Sequence, residues 1–285
     1  MQSPALRRTM TSALLFDLDG TLTDPREGIT RCVRHALESV GAPVPNEEEL
    51  ARWIGPPLQD SLRAHLERQT VRNSLNVAEN GSARSDRVGG VSSEFISEEG
   101  GGACRPHKPR LERRAVKLVG VLGPSGEGLV ARALSEYRAR FATTGMFENA
   151  VYPNIPEALE DLQRQGLPLF VATSKPTPFA ERIVEHFGLS RYFAGVYGSE
   201  LSGERSDKGE LIAHVLRAEN LAPSRVSMVG DRAHDIVGAR RNGVRALGVL
   251  WGYGDAAELV EAGADAIFAT VRDLSLALRE LHSQS

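Results

Sequence analysis

The chain has 285 residues, a formal net charge of −3, a pI near 6.2, 41% hydrophobic residues and 25% charged ones. That balance is ordinary for a soluble globular protein of one large domain or two modest ones, and it gives no overall pull toward nucleic acid or anionic lipid. Two cysteines, Cys32 and Cys104, build neither a disulfide framework nor a zinc site; no apolar run reaches the ~20 residues that span a bilayer; and "MQSPALRRTMTS" lacks an apolar h-region, so a cytoplasmic protein without membrane attachment is expected.

The first predicted strand, Ala13 to Asp17, is a short apolar run closed by a turn at Gly20. A helix follows from Arg26 to about Val40, on which Ile29, Val33, Ala36, Leu37 and Val40 recur at helical spacing. "GAPVP" stops it, and "NEEELARWIGPPLQDSLRAHLERQ" reads as an acidic-capped short helix, a Gly-Pro turn and a second helix from about Leu58. From about Thr70 to Arg114 the chain is rich in Gly, Ser, Asn, Arg and Glu without a sustained period, a composition too polar to offset the entropy of ordering it. Disorder is expected there. Its basic end, Arg105 to Arg114, reads as the solvated tail of an insertion, with contact to an acidic partner or nucleic acid as the alternative. "AVKLVGVLG" is an apolar run of uncertain type. In "GEGLVARALSEYRARF" the residues Leu129, Ala133, Leu134, Tyr137 and Phe141 mark one face of an amphipathic helix. "GPSGEG" lacks the Gly-Lys-Ser/Thr ending of a phosphate-binding P-loop and reads as a turn.

After Tyr152-Pro153 the rhythm changes to strictly alternating helix and strand. The predicted strands are "LPLFVATS", "FAGVYGSE", "RVSMVGD", "VRALGVLWG" and "ADAIFA", separated by amphipathic helices. This alternation predicts an α/β fold: a Rossmann-like parallel sheet with helices on both faces. Ligands of such sheets bind beyond the carboxyl ends of the strands. Those ends deliver Asp17 and Asp19, Thr173 and Ser174, and Asp231 with Asp235 just after it, while Lys208 opens a helix at the same rim. Several unpaired carboxylates in one place are costly unless a cation holds them. Mg²⁺ takes oxygen ligands and commonly keeps a substrate phosphate among them. A hydroxyl and an ammonium suit the other oxygens of that phosphate, and phosphoryl transfer rests mainly on positioning and charge stabilisation.

These residues, in this order, resemble the haloacid dehalogenase superfamily of phosphatases. Motif I is similar to "FDLDGTLTD", motif II to "VATSKP" through Thr173, motif III to Lys208, and motif IV to "VGDRAHDI". The resemblance spans residues 13 to 67 and about 128 to 270. It implies Asp17 as the nucleophile that becomes phosphorylated, and Asp19 as the acid for the leaving alcohol and then the base for water. It implies phosphoryl contacts from Thr173, Ser174 and Lys208. Mg²⁺ would be held by the side chains of Asp17, Asp231 and Asp235 and by the backbone carbonyl of Asp19. The superfamily's dehalogenases lack the second motif I aspartate, so Asp19 points to phosphate chemistry. Lys175 is a further candidate, or an ordinary loop lysine.

The same resemblance divides the chain into a core, residues 1–24 and 152–285, and a helical cap, residues 25–151, interrupted at about 70–127. "RWIGPPL" resembles the cap of phosphoglycolate phosphatase-like members, where Arg52 and Trp53 either face the substrate or pack the cap. Trp251 and Tyr253 read as structural, and His234 as flanking the site, because hard Mg²⁺ prefers oxygen. The expected function is a Mg²⁺-dependent phosphatase acting on a small phosphorylated metabolite, with 2-phosphoglycolate or a related monoester in the lead. A 5'-nucleotidase, a pyrophosphatase and a phosphosugar mutase of the same superfamily are alternatives. From another class, a receiver-like signalling module shares the aspartates, hydroxyl and lysine, but not an acid two residues after the phosphoacceptor or a large cap. A monomer or homodimer without a nucleic-acid partner is expected.

Overall fold

The computed structural model describes residues 13–55, 58–82 and 124–283. In chain order its regular elements are β1 (Ala13–Phe16), β2 (Thr23–Asp24), α1 (Arg26–Ser39), α2 (Glu47–Ala51), α3 (Leu58–Ser82), α4 (Pro124–Arg140), β3 (Ala150–Val151), α5 (Ile155–Arg164), β4 (Leu169–Pro176), α6 (Thr177–His186), β5 (Gly195–Ser199), α7 (Lys208–Ala218), β6 (Val226–Gly230), α8 (Ala233–Arg241), β7 (Arg245–Val249), α9 (Ala256–Glu261), β8 (Ala266–Phe268) and α10 (Val271–Ser283).

Six strands form one parallel sheet in the order β5-β4-β1-β6-β7-β8. Its centre is β1, all four residues of which are buried, as a strand covered on both faces requires. Alternation along β1 assigns the two faces. Leu14 and Phe16 join the cluster that holds Leu159, Leu162, Ile183 and Leu274 from α5, α6 and α10. Ala13 and Leu15 join Leu211, Ile212, Val215, Ile236 and Leu259 from α7, α8 and α9. Leu162 is only 1% exposed, and burying a leucine fully contributes about 1.5–3 kcal/mol. The predicted Rossmann-like sheet with helices on both faces is therefore what the chain forms.

Between β2 and β3 the chain leaves the sheet and builds α1 to α4. Helix α1 packs on α4 and α2, and α3 packs on α4. Asn46 starts α2 by accepting a 2.9 Å hydrogen bond from the Glu49 amide, a common N-cap arrangement. The excursion returns through a two-stranded antiparallel ribbon, with Thr23 opposite Val151 and Asp24 opposite Ala150. Beside it the Gly28 amide donates to the Glu148 carbonyl at 2.8 Å. A Cβ at Gly28 would stand 1.9 Å from the Gly145 carbonyl oxygen, so only glycine lets the chain pass here.

Three details differ from the sequence reading. Helix α3 runs to Ser82, beyond Thr70 where order was expected to end. Thr70 to Glu79 contain no Gly or Pro, and extending a nucleated helix costs little per residue. The remainder of the expected insertion, residues 83–123 with the basic stretch and "AVKLVGVLG", lies outside the described residues. On α4 the buried face runs through Val130 rather than Leu129, which is 39% exposed; Val130, Ala133, Tyr137 and Phe141 keep the stricter helical spacing. Finally, α4 ends in a π-helical turn over Phe141–Gly145 that the sequence does not signal.

Candidate active site

The carboxyl ends of β1, β4 and β6 and the first turns of α7 and α8 meet at one rim. The Asp17 amide still belongs to the sheet, donating to the Val229 carbonyl at 2.9 Å, so its carboxylate is aimed by the strand. Thr173 to Lys175 close β4. Lys208 is the first residue of α7, whose N-cap Asp207 accepts from the Glu210 amide at 2.9 Å. Asp231 follows β6, and Asp235 lies in the first turn of α8 with its carboxylate accepting from the Arg232 amide at 3.2 Å.

Asp17, Asp231, Asp235, Thr173 and Lys208 are all buried. Lys208 Nζ sits among three oxygens: 2.7 Å from Asp17 Oδ1, 2.8 Å from Asp235 Oδ1 and 2.9 Å from the Ala172 carbonyl. An ammonium has three N–H groups, so Lys208 faces as many acceptors as it has donors, where the sequence reading gave it phosphoryl oxygens. Burial opposes its charge, but Asp17 and Asp235 outweigh burial and hold its pKa above the usual lysine value. One ammonium does not hold both acids equally. Burial pushes the Asp17 carboxyl upward, against Lys208 and with Asp235 adding to the rise. At Asp235 burial is outweighed by Lys208 and His234, and that carboxyl lies below the ordinary range.

Asp231 occupies a tight cradle. Thr21 Oγ1 donates to its Oδ1 at 3.2 Å, and the Tyr253 amide donates to its Oδ2 at 2.8 Å. A Cβ on Gly20, whose φ is +87°, would fall 2.2 Å from that carboxylate. Burial, then Asp235 and Asp17, push its pKa up to about 8. Trp251 Nε1 donates to the Thr21 carbonyl at 3.0 Å, and the Tyr253 hydroxyl donates to Asp24, so both aromatic residues brace this loop, as the sequence reading has them.

Asp19 is fastened differently. Its Oδ2 pairs with Lys175 Nζ at 2.8 Å, while its Oδ1 is buried without a hydrogen-bond partner. Lys175 Nζ also lies 4.4 Å from the centre of the Phe141 ring, a cation–π contact. Thr173 Oγ1 accepts from the Lys175 amide at 3.2 Å, leaving its own proton free to donate. The Ser174 hydroxyl instead donates to the Ser206 carbonyl at 3.2 Å.

Three buried carboxylates against one buried ammonium leave the rim short of positive charge, which adds to the burial that raises Asp231. Ligand atoms of Asp17, Asp235 and His234 lie within 4.8 Å of one another. The two carboxylates of that group are oxygen donors of the kind Mg²⁺ takes, and a divalent cation would relieve their repulsion; Asp231, which the sequence reading also gave to the metal, is not part of the group. His234 stands closer in than expected, its Nε2 3.7 Å from Asp235.

A cleft of about 630 Å³ opens over these groups and reaches both the sheet and the helical excursion. Of the two cap candidates, Trp53 lines it. Arg52 does not; it is exposed and paired with Glu48.

The model of the haloacid dehalogenase-like hydrolases matches residues 11–243. The chain belongs to that family. This hydrolase is 39% identical to a 5'-nucleotidase of Pseudomonas aeruginosa over 246 residues, covering 86% of each chain. It is 27% identical to a phosphoglycolate phosphatase of Shigella boydii, over 95% of its own length and 93% of the relative's. Among solved structures, a predicted phosphatase from Clostridium acetobutylicum superposes with a TM-score of 0.70 at 32% identity, over 95% of this hydrolase and 100% of that chain. Fold and enzyme class both agree with the sequence reading, which placed the chain among the phosphatases of this family. No described helix is long and apolar enough to cross a membrane.

The sequence reading missed Thr21 and the Tyr253 amide as holders of Asp231, and it left Lys175 undecided between site and loop. The glycines of "DGTLTD" and "WGYG" are the sequence's hint of the close approach to Asp231. The link from Lys175 to Asp19 joins two strand ends far apart in the chain and leaves no local signal.

Proposed function

We propose that this hydrolase is a Mg²⁺-dependent phosphatase that cleaves a small phosphate monoester through a phosphoaspartate on Asp17. The observation that supports it is the contrast between two carboxylates two residues apart. Asp17 is buried and steered by Lys208, whereas Asp19, paired through its other oxygen with Lys175, keeps one buried oxygen without a partner.

In this reading an Asp17 carboxylate oxygen attacks phosphorus, and the bond to the leaving oxygen breaks as Asp19 delivers a proton to it. Asp19 then removes a proton from water, whose oxygen attacks the phosphoaspartate and releases phosphate and the Asp17 carboxylate. Thr173 donates to a phosphoryl oxygen, with Ser174 lining the same cleft. Lys208 holds Asp17 in line and screens the charge on the phosphoryl group. Asp17, Asp231 and Asp235, with the Asp19 carbonyl, would hold Mg²⁺, which when bound supplies Lewis-acid stabilisation of the phosphoryl charge. Helices α1 to α4 act as a cap that excludes water from the cleft.

The test is phosphate release from p-nitrophenyl phosphate with and without Mg²⁺, for the wild type and Asp17→Asn. Multiple turnovers that need Mg²⁺ and vanish in the variant are expected. A single stoichiometric labelling without turnover would instead favour a phosphate-accepting signalling module.

A further inference from the structure

Beyond Asp19 and Lys175 the cleft is lined by the rings of Tyr137, Phe141 and Phe179. Lys175 Nζ links the two halves, 2.8 Å from Asp19 Oδ2 and 4.4 Å from the Phe141 ring centre. The aromatic wall therefore starts one ammonium away from the acid that would protonate the departing oxygen. Phe141 is buried at the back of that wall. Tyr137 stacks on it at 5.5 Å with 11° between the planes, and Phe179 meets its edge at 5.6 Å. Tyr137 and Phe179 are half-buried and line the cleft. Burial, then Cys32 and Asp19, hold the Tyr137 hydroxyl well above the usual phenol value, so this surface is neutral. Trp53 lines the same cleft, braced edge-on by His65 at 5.5 Å.

Three of the four lysines and arginines lining the cleft are meanwhile committed. Lys208 serves Asp17 and Asp235, and Lys175 serves Asp19. Arg232 donates from Nε to Glu258 at 2.8 Å and from Nη1 to the Ile54 carbonyl at 3.0 Å. Arg138 is left, on an exposed stretch of the rim. A short substrate with a second carboxylate close to its phosphate would meet rings where it needs an ammonium. A volume of about 630 Å³ lies in the range of sites that bury a much larger, ring-bearing ligand.

We infer that Tyr137 and Phe179 form a stacking wall for a flat, uncharged ring in the leaving alcohol, which makes nucleoside 5'-monophosphates, and not 2-phosphoglycolate, the substrate class of this site. The inference rests on the phosphatase reading above. Stacking of one base on aromatic side chains corresponds to about 5- to 150-fold in affinity.

The experiment compares kcat/KM, with Mg²⁺, for a nucleoside 5'-monophosphate, ribose 5-phosphate and 2-phosphoglycolate, with wild-type turnover of p-nitrophenyl phosphate, itself a ring ester, read only as the sign of phosphatase chemistry. The expected result is a nucleotide preference of at least about 5-fold over ribose 5-phosphate, with 2-phosphoglycolate slower still. In Tyr137→Leu, which keeps apolar volume but removes the ring, the nucleotide-to-ribose-phosphate ratio falls toward one. A wild-type ratio near one, or a preference for 2-phosphoglycolate, overturns the inference while p-nitrophenyl phosphate turnover keeps the phosphatase reading intact. If nothing is hydrolysed, that reading fails on its own, and calorimetric binding decides the wall: nucleotide at least 5-fold tighter than ribose 5-phosphate upholds it, and equal affinity overturns it.

Discussion

Replacing Lys208 by methionine isolates the electrostatics of the rim, because methionine keeps the apolar stem and removes only the ammonium. The wild-type ammonium touches Asp17 Oδ1 at 2.7 Å and Asp235 Oδ1 at 2.8 Å, with all three side chains buried. Removing one partner from a buried charge cluster typically costs about 3–5 kcal/mol. At roughly 2–4 °C per kcal/mol for a chain of about this size, Lys208→Met lowers Tm by about 6–20 °C at pH 7.5. The sign of the pH dependence follows from the direction of the shift. In the wild type the raised Lys208 pKa means its contribution is fully present below the unfolded lysine value of ~10.4 and is lost only above the folded one. In the variant the orphaned carboxyls bind protons more tightly when folded, so its deficit shrinks as pH falls from 7.5 toward 5. The assay is urea denaturation of both proteins at pH 7.5 and 5 in the presence of EDTA, so that no added cation replaces the lost charge. A variant within 1 kcal/mol of the wild type at pH 7.5, or a deficit that grows toward pH 5, would refute a charged Lys208 holding two ionised acids.

Asp19→Asn removes the proton donor but not the nucleophile; turnover of alkyl phosphates is expected to fall by about 10²–10⁴-fold, and that of p-nitrophenyl phosphate, whose leaving group needs no proton, by much less. Equal losses on both substrates would argue against Asp19 as the acid. Glu148 accepts from Arg140 at 2.7 and 3.0 Å and from Arg31 at 2.9 Å, with Arg140 first among the causes of its lowered pKa. Its contribution is present above the unfolded value of ~4.3 and is lost as pH falls through the lower folded value. Glu148→Gln therefore costs about 1.5–3 kcal/mol at pH 7, and the two denaturation curves converge in acid.

The sheet and the acidic rim were legible because both are local in sequence. Strand–helix alternation after Tyr152 marks each element, and a parallel sheet brings the residues at its strand ends together, so Asp17, Asp19, Thr173, Lys208, Asp231 and Asp235 could be named without a contact map. What escaped depends on partners distant in the chain. Thr21 reaches Asp231 across 210 positions, and Lys175 finds Asp19 only because β4 lies beside β1. The slip from Val130 to Leu129 has a geometric cause: one residue turns a helix face by about 100°, and both are large aliphatics. In the stretch after Thr70 the average composition hid the absence of helix breakers before Gly81. Strands of two residues such as β2 and β3 carry no period at all, and only their pairing reveals them.

That ribbon is where the helices α1 to α4 join the rest of the molecule. The outgoing and returning strands are joined side by side through Thr23–Val151 and Asp24–Ala150, with the Tyr152 amide donating to the Leu22 carbonyl at 3.1 Å just below. A tether of two independent strands would let the helices slide and twist over the sheet. A paired one behaves as the leaf of a door hinge, stiff against translation and compliant about a single line. Any rotation about that line would carry Tyr137 and Trp53, which line the cleft with Asp17, together and along one arc.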